Sequence, residues 1–272
     1  TLKITILLTV LFLFAQVIGL FIVDKYVTTK TVVEDGKAVQ KQEWKELPYK
    51  VERPEFKEET SFIPIFITIL IATFFIIIII KFGMIPIWYI WFFASVWFCL
   101  LIALAAFLPQ TISLILAFLL ALIKVLRKSV ILHNLTELFI YGGLAAVFVP
   151  VLSLFSISIL LVIISIYDMI AVWRTKHMVK MAKFQAKLKL FAGFLIPYKN
   201  KTAVLGGGDI GFPLLFSAVL MKNYGFSAFI IPIFTTLALL FLLIKSEKNK
   251  FYPAMPFISL GCFAGYLVLY LA

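Results

Sequence analysis

Two aspartates attract attention first because apolar sequence surrounds both of them. Asp168 ends the run SILLVIISIYD, and Asp209 follows three glycines in AVLGGGDIGFP. A carboxylate inside a membrane span costs roughly 2.5–3.5 kcal/mol on insertion scales, so such a residue is a functional candidate by default. One acid alone would suggest a proton relay, whereas two acids at similar depth suggest a pair.

The other acids have simpler explanations. Nine of the thirteen lie between residues 24 and 60, and Glu247 lies in a short basic segment. Glu137 follows Asn134 by three residues, a spacing typical of capping at a helix N-terminus, which is a structural role. We expect no buried basic residue in any apolar segment, and therefore no lysine or arginine partner for Asp168 or Asp209.

Composition predicts the elements that must position these acids. Hydrophobic residues make up 63% of the chain and charged residues 14%. Apolar runs of about 18 residues or more recur, and each is long enough for a helix to cross a hydrocarbon core of roughly 30 Å. Lipid requires backbone groups to be paired internally, so the fold class is an all-α polytopic membrane helix bundle. The net charge of +12 fits basic loops beside anionic lipid headgroups and does not require nucleic acid.

Nine transmembrane helices are predicted, and two long apolar runs are divided near Pro109 and near Pro150 and Ser153 into helical hairpins. Lys3 precedes about twenty apolar residues, which is too long for a cleaved signal peptide and indicates a first span. The predicted spans are 3–23, 62–80, 86–107, 109–124, 135–151, 154–173, 204–222, 226–244 and 253–271.

Charge predicts the orientation of the bundle. With the N-terminus in the cytosol, the inner segments carry sixteen basic residues and one acid, whereas residues 24–60 carry eight basic and nine acidic residues. The positive-inside rule therefore favours a cytosolic N-terminus and an outside C-terminus. The chain divides into residues 1–173 with the outer loop 24–60, a basic cytosolic loop 174–203, and the last three spans in 204–272.

Two loops carry local signals. Asp35-Gly36 lies between polar arms rich in β-branched residues and predicts a β-hairpin. The inner stretch from Arg174 to Gly193 alternates lysine with methionine, phenylalanine and leucine. It indicates either an amphipathic helix in the inner leaflet or a mobile basic loop that fixes topology.

The two aspartates are expected at similar depth near the cytosolic side. Asp168 lies six residues before Arg174, about 9 Å along a helix, and Asp209 lies eight residues after Lys201, at most about 12 Å. Two close carboxyl groups share one proton, because both cannot easily ionise. The ionised member can take a proton from water while the protonated member donates to a peptide carbonyl, which is aspartic-protease chemistry.

The surroundings of Asp209 suit such a site. Gly206, Gly207 and Gly208 allow a non-helical entry and a close backbone approach. Pro213 provides no N–H for the Asp209 carbonyl, so backbone on both sides of the acid is expected to be loosened. Broken backbone at membrane depth is tolerated only against protein or a water-filled cavity.

A third segment, FYPAMPF at 251–257, precedes the ninth span. Pro253 and Pro256 remove two donors, and Pro256 pushes Met255 towards extended geometry. Such a segment could pair with an extended peptide by strand addition. Proline at a helix start is also an ordinary structural feature.

These three pieces together resemble the presenilin and signal peptide peptidase family of intramembrane aspartyl proteases. Tyr167-Asp168 resembles the family's YD motif, residues 206–209 match its GxGD motif with Gly206 and Gly208 as the fixed glycines, and Pro253-Ala254-Met255 resembles its PAL motif. Met255 stands where the family has leucine, a flexible hydrophobe of similar volume. The resemblance implies a nine-span fold, two catalytic aspartates and neither metal nor cofactor.

The resemblance also implies partners. The substrates would be transmembrane proteins or signal-peptide-like segments within the lipid bilayer, and a homo-oligomer stays open. The short connection between spans six and seven is typical of a microbial, archaeal-like homologue that acts alone. Two alternatives use the same acids: a prepilin or preflagellin peptidase, which cuts in the aqueous phase, and a proton-coupled transporter.

Overall fold

The computed structural model describes residues 2–34, 37–127, 129–198, 201–247 and 250–271. Within these residues the chain forms ten α-helices and two antiparallel hairpins. The elements are α1 (Leu2–Lys25), β1 (Val27–Glu34), β2 (Lys37–Trp44), α2 (Phe62–Phe82), α3 (Ile85–Ala105), α4 (Gln110–Arg127), α5 (Val130–Phe148), α6 (Leu154–Met169), α7 (His177–Leu188), β3 (Gly193–Tyr198), β4 (Lys201–Gly206), α8 (Gly207–Tyr224), α9 (Ile230–Lys245) and α10 (Met255–Leu271).

The apolar helices make the chain an integral, multi-pass membrane protein. In the described part of the chain, seven helical stretches are long and apolar enough to cross a membrane. The last stretch, Gly207–Lys245, contains both α8 and α9, separated by a 3-10 turn at Gly225–Phe229. Helix α10 is a shorter apolar helix of 17 residues. The nine predicted spans thus correspond to α1–α6 and α8–α10.

Both predicted hairpin divisions are confirmed, although several bounds differ. Helices α3 and α4 separate around Pro109, and Ser153 caps α6 by accepting a hydrogen bond from the Ser156 N–H at 3.1 Å. Helix α5 begins at Val130, five residues earlier than predicted. Residues 204–206, predicted as the start of a span, belong to strand β4, where the chain is extended before it turns into α8.

Helix α8 lies at the centre of the bundle. It packs against α1, α5, α6, α9 and α10, and nearly every residue from Ile210 to Met221 is buried. Helix α2 is the opposite case, because only Ile65 and Ile79 are buried. Its exposed apolar side chains would be costly in water and suit contact with lipid. The sequence that carries Asp209 therefore begins the innermost helix.

Helix α5 is wedged between α1 and α3. A Cβ on Gly143 would come within 2.1 Å of the Cys99 carbonyl oxygen in α3, so only glycine permits this approach. Small residues at helix crossings are typical of membrane bundles, because they let backbones pack closely. This packing also brings α5 against α8.

The outer segment is tied to the bundle. Strands β1 and β2 pair antiparallel as predicted, whereas the turn residues Asp35 and Gly36 lie outside the described residues. Arg53 donates hydrogen bonds to the carbonyls of Ala146, at 3.2 Å, and Lys45, at 2.8 Å. The Tyr26 hydroxyl donates to the Ile102 carbonyl at 2.7 Å, and burial raises the pKa of Tyr26 to about 12.

The inner segment is more ordered than a mobile loop. A helix is confirmed at 177–188 as α7, in place of a loop, and its position in the inner leaflet stays a prediction. The hairpin β3–β4 was not predicted. Its first strand is held by α5: Asn134 exchanges two hydrogen bonds with the Leu195 backbone, at 2.7 and 2.9 Å. This hairpin delivers the chain directly to Asp209.

Candidate active site

Asp168 lies in the last turn of α6 and is buried, with 6% of its surface exposed. Its carboxylate accepts a hydrogen bond from the Met255 N–H at 3.1 Å. Residues at a helix start have N–H groups without a partner inside the helix, and Met255 is the first residue of α10. Asp168 therefore joins the end of α6 to the start of α10.

The segment Pro253-Ala254-Met255 is buried beside Asp168. Met255 was expected to be extended, but it begins α10, because a proline at the next position needs no N–H partner in the first helical turn. Pro253 and Ala254 precede the helix. The segment thus presents the Met255 N–H to Asp168, whereas its pairing with an extended peptide stays a prediction.

Asp209 lies in the first turn of α8. Gly206 precedes the helix with extended backbone, φ −66° and ψ 148°, which confirms the predicted non-helical entry. The Asp209 carboxylate folds back towards Gly206: one of its oxygens lies 3.1 Å from the place of a Cβ on that residue. An acid three residues into a helix can accept the N–H of the preceding cap residue, and a helix N-terminus favours negative charge.

Pro213 is accommodated inside α8. In the same turn, the Ile210 carbonyl accepts a hydrogen bond from the Gln16 Nε2 of α1 at 2.8 Å. Gln16 is fully buried. The Gln16 side chain thus supplies a hydrogen-bond partner for the backbone carbonyl one residue after Asp209. Backbone polar groups within a bilayer need such partners, because no water is present there.

A cavity of about 870 Å³ reaches Asp209. Asp209 and Ala254 line it together with residues of α1, α7, β4 and α9. Its charged lining residues also include Glu247 and three lysines, Lys183, Lys187 and Lys250. The exposed face of Gly208 is open, because the nearest atom to a Cβ there would be in the Phe212 ring at 3.5 Å. A peptide and water could therefore approach Asp209 from this cavity.

The two aspartates belong to helices that pack together, α6 and α8. They also share the segment before α10, because Ala254 lines the cavity with Asp209 and the Met255 N–H donates to Asp168. Among the described residues, neither forms an ion pair with a lysine or arginine. No group of three or more His, Cys, Asp or Glu side chains in the described ranges could hold a metal ion. Two carboxyl groups in this arrangement can exchange protons with a bound peptide or water.

Tyr167 is directed to α7 rather than to an aspartate. Its hydroxyl is hydrogen-bonded to His177 Nε2 at 3.0 Å, and His177 Nδ1 lies 2.6 Å from the Thr175 hydroxyl. Burial lowers the pKa of His177, which favours the neutral imidazole. The residue next to Asp168 therefore couples α6 to the amphipathic helix.

Sequence analysis missed a buried polar cluster at α4 and α5. The expectation that no basic residue would be buried in an apolar segment is wrong, because Lys124 is buried in α4 and lies 2.5 Å from Glu137. The predicted capping role of Asn134 and Glu137 is wrong, because α5 begins at Val130 and both residues lie inside it. Tyr141, one turn after Glu137, donates its hydroxyl proton to the Glu137 carboxylate. The i, i+4 spacing of Glu137 and Tyr141 was the available signal.

Comparison with known proteins agrees with this geometry. A profile of the family described as signal-peptide peptidase, presenilin aspartyl protease matches residues 38–272. No curated protein sequence matches the chain significantly. Two solved structures of a presenilin family intramembrane aspartate protease, in C222 and P2 space groups, share the fold. They match with TM-scores of 0.63 and 0.64, at 19% and 20% identity, and 97% of each chain is covered.

The family match spans most of the chain and includes the three segments that meet around Asp168 and Asp209. It favours the aspartyl protease over the transporter and prepilin-type alternatives. The chain belongs to the signal peptide peptidase and presenilin family of aspartyl proteases and is an intramembrane aspartic endopeptidase.

Proposed function

We propose that Asp168 and Asp209 are the catalytic pair and that the enzyme hydrolyses peptide bonds within transmembrane segments. The observation that carries this proposal is the convergence of two span-borne acids, from α6 and α8, beside a cavity that Asp209 and Ala254 line. Glu137, in the apolar helix α5, does not compete for this role, because it is paired with Lys124.

The mechanism follows from two carboxyl groups that share one proton. The ionised carboxylate takes a proton from water as the water oxygen attacks the peptide carbonyl carbon. The protonated carboxyl donates its proton to the carbonyl oxygen, which gives a neutral tetrahedral diol. When the C–N bond breaks, the carboxyl that took the water proton gives it to the leaving nitrogen. The other carboxylate takes a proton from a diol hydroxyl as the carboxylic acid product forms, so both carboxyl groups return to their starting states.

Substrate positioning is assigned to the residues around the pair. Gly206 and Gly208 keep the backbone beside Asp209 accessible. Pro253, Ala254 and Met255 form the segment that contacts Asp168. Tyr167 supports the end of α6 through His177. We assign transmembrane or signal-peptide-like segments as substrates because the site is carried by membrane helices and a peptide must reach it through the bilayer.

The test is cleavage of a labelled single-span substrate by purified enzyme. Asp168→Asn and Asp209→Asn are each expected to abolish cleavage, since an amide replaces neither the acid nor the base. Thermal melting and gel filtration check that both variants remain folded. Proteolysis retained by either folded variant would contradict the two-aspartate proposal.

A further inference from the structure

We propose that Lys124, Glu137 and Tyr141 form a positioning unit that holds the turn Gly206–Asp209 and thereby orients the Asp209 carboxyl group. The inference rests on the proposed function of Asp209. None of the three residues touches the cavity that leads to Asp209. Their role is to fix backbone and not to contact substrate.

The unit is buried among apolar helices. Lys124 and Glu137 each expose 1% of their surface, and Tyr141 exposes 5%. The Lys124 ammonium lies 2.5 Å from one Glu137 oxygen and donates to the Thr136 hydroxyl at 2.8 Å. A buried ion pair usually adds little net stability over an apolar replacement, because both charges lose their hydration. This cost calls for a role other than stability.

Glu137 fixes Tyr141, which in turn contacts the turn. The second Glu137 oxygen accepts the Tyr141 hydroxyl proton, so the phenol has a defined direction. The hydroxyl oxygen lies only 2.8 Å from where a Cβ on Gly207 would be, and a ring carbon lies 3.7 Å from the corresponding place on Gly211. Tyr141 therefore packs on backbone two residues before Asp209 and two residues after it.

The same helix holds the approach to the turn. The Gly207 N–H donates to the Ala192 carbonyl at 2.9 Å, and His133 Nε2 is hydrogen-bonded to the Gly193 carbonyl at 2.8 Å. Gly193 pairs with Gly206 in the hairpin register. Helix α5 thus fixes the Gly206–Asp209 turn from both sides, through Tyr141 and through the hairpin.

The close contact explains why glycine occupies position 207. A side chain there would meet the Tyr141 hydroxyl at 2.8 Å and the Ala192 carbonyl oxygen at 3.1 Å. The hydroxyl cannot move away without losing its bond to Glu137. Alanine at 207 would therefore displace the turn that carries Asp209.

The first test is Tyr141→Phe, which removes only the hydroxyl. We expect kcat per folded enzyme to fall about tenfold or more with KM within about twofold, since small misplacements of a catalytic group lower the rate steeply. Affinity for a transition-state-mimicking aspartyl protease inhibitor should fall in parallel with kcat. If Tyr141 served stability alone, neither kcat per folded enzyme nor inhibitor affinity per folded enzyme would change.

The matched control is Tyr26→Phe. Tyr26 is also buried and also donates its hydroxyl, to the Ile102 carbonyl at 2.7 Å, but it contacts α3 and not the Gly206–Asp209 turn. We expect a comparable loss of thermal stability with unchanged kcat. Tyr141→Phe with kcat within twofold of wild type would overturn the proposal, as would an equal loss of kcat in Tyr26→Phe.

A second test changes the turn and compares the effect with and without the Tyr141 hydroxyl. Gly207→Ala should lower kcat in the wild-type background and should lower it less in the Tyr141→Phe background, because the clashing hydroxyl is gone. Equal losses in both backgrounds would show that the hydroxyl does not constrain the turn. If Tyr141→Phe does not fold, a kcat for folded Gly207→Ala equal to wild type overturns the proposal by itself.

Failure of the positioning unit can be distinguished from failure of the proposed catalytic pair. Active Asp209→Asn enzyme would refute the catalytic pair, whatever Tyr141 does. Inactive Asp209→Asn enzyme together with unaffected Tyr141→Phe enzyme would refute only the positioning unit.

Discussion

Asp168 accepts a hydrogen bond from backbone at the start of α10 and thereby connects two helices. Its carboxylate accepts the Met255 N–H, which has no partner within the helix because Met255 begins α10. The same carboxylate thus has a structural contact and a proposed chemical role. Any change that moves Met255 should change the position of Asp168.

Pro253→Ala tests this connection. Alanine supplies an N–H and relaxes the fixed φ of proline, so α10 can extend towards its N-terminus and shift the Met255 N–H. We expect cleavage to fall at least about tenfold while the melting temperature changes by no more than a few degrees. Activity and melting are measured on the same preparations.

Pro232→Ala is the control for Pro253→Ala. Pro232 is also buried, lies in the first turn of α9, and does not line the cavity at Asp209. We expect a similar effect on melting and none on cleavage. If both variants lose activity in proportion to stability, the Pro253 segment has only a structural role.

Sequence identified the two aspartates because loops and helix ends account for most other acids. The same inventory misread Glu137, since the sequence shows Lys124 at the end of an apolar run, where a long side chain can reach the interface. The structure directs Lys124 inward to Glu137 instead. Side-chain direction at a helix end depends on which helix packs beside it, and a single sequence does not contain that information.

At the scale of elements, the apolar helices were predictable and the β3–β4 hairpin was not. Helix length and apolar content are set by bilayer thickness, so eight of the nine helices lie close to their predicted spans. The hairpin has two strands of six residues inside a strongly basic segment. The turn signals in this segment are few: Gly193, Pro197 and Asn200, which lie beside or within the stretches of strand-forming residues.

The hairpin matters because it ends where Asp209 begins. Strand β4 finishes at Gly206, and α8 starts at the next residue. The chain therefore changes from extended to helical within three residues of the carboxylate. The three glycines indicated a flexible entry into α8. The direction in which the chain turns there depends on contacts with α5, which the sequence does not show.

At the scale of the whole molecule, charge separates the two ends of the bundle. We propose that the N-terminus is cytosolic, because the segments that join the spans on that side carry most lysines and arginines. The cavity at Asp209 is bordered by Lys183, Lys187 and Lys250. In this orientation the active site is reached from the cytosolic half of the membrane.

Cysteine labelling in intact cells tests this orientation. In a background with Cys99→Ala and Cys262→Ala, a membrane-impermeant thiol reagent should label Lys57→Cys directly and Lys187→Cys only after permeabilisation. Both lysines are exposed. The unsubstituted chain is the control, because its two cysteines are buried, and the opposite labelling pattern would reverse the orientation.

The central claim is that Asp168 and Asp209 act on one reacting centre. The most direct measurement is a structure of the enzyme bound to a peptide analogue with a hydroxyl in place of the scissile carbonyl. We predict that both carboxyl groups lie within about 2.6–3.2 Å of that hydroxyl. Carboxyl groups more than about 8 Å apart in the complex, too far for one hydroxyl to bridge, would contradict the account.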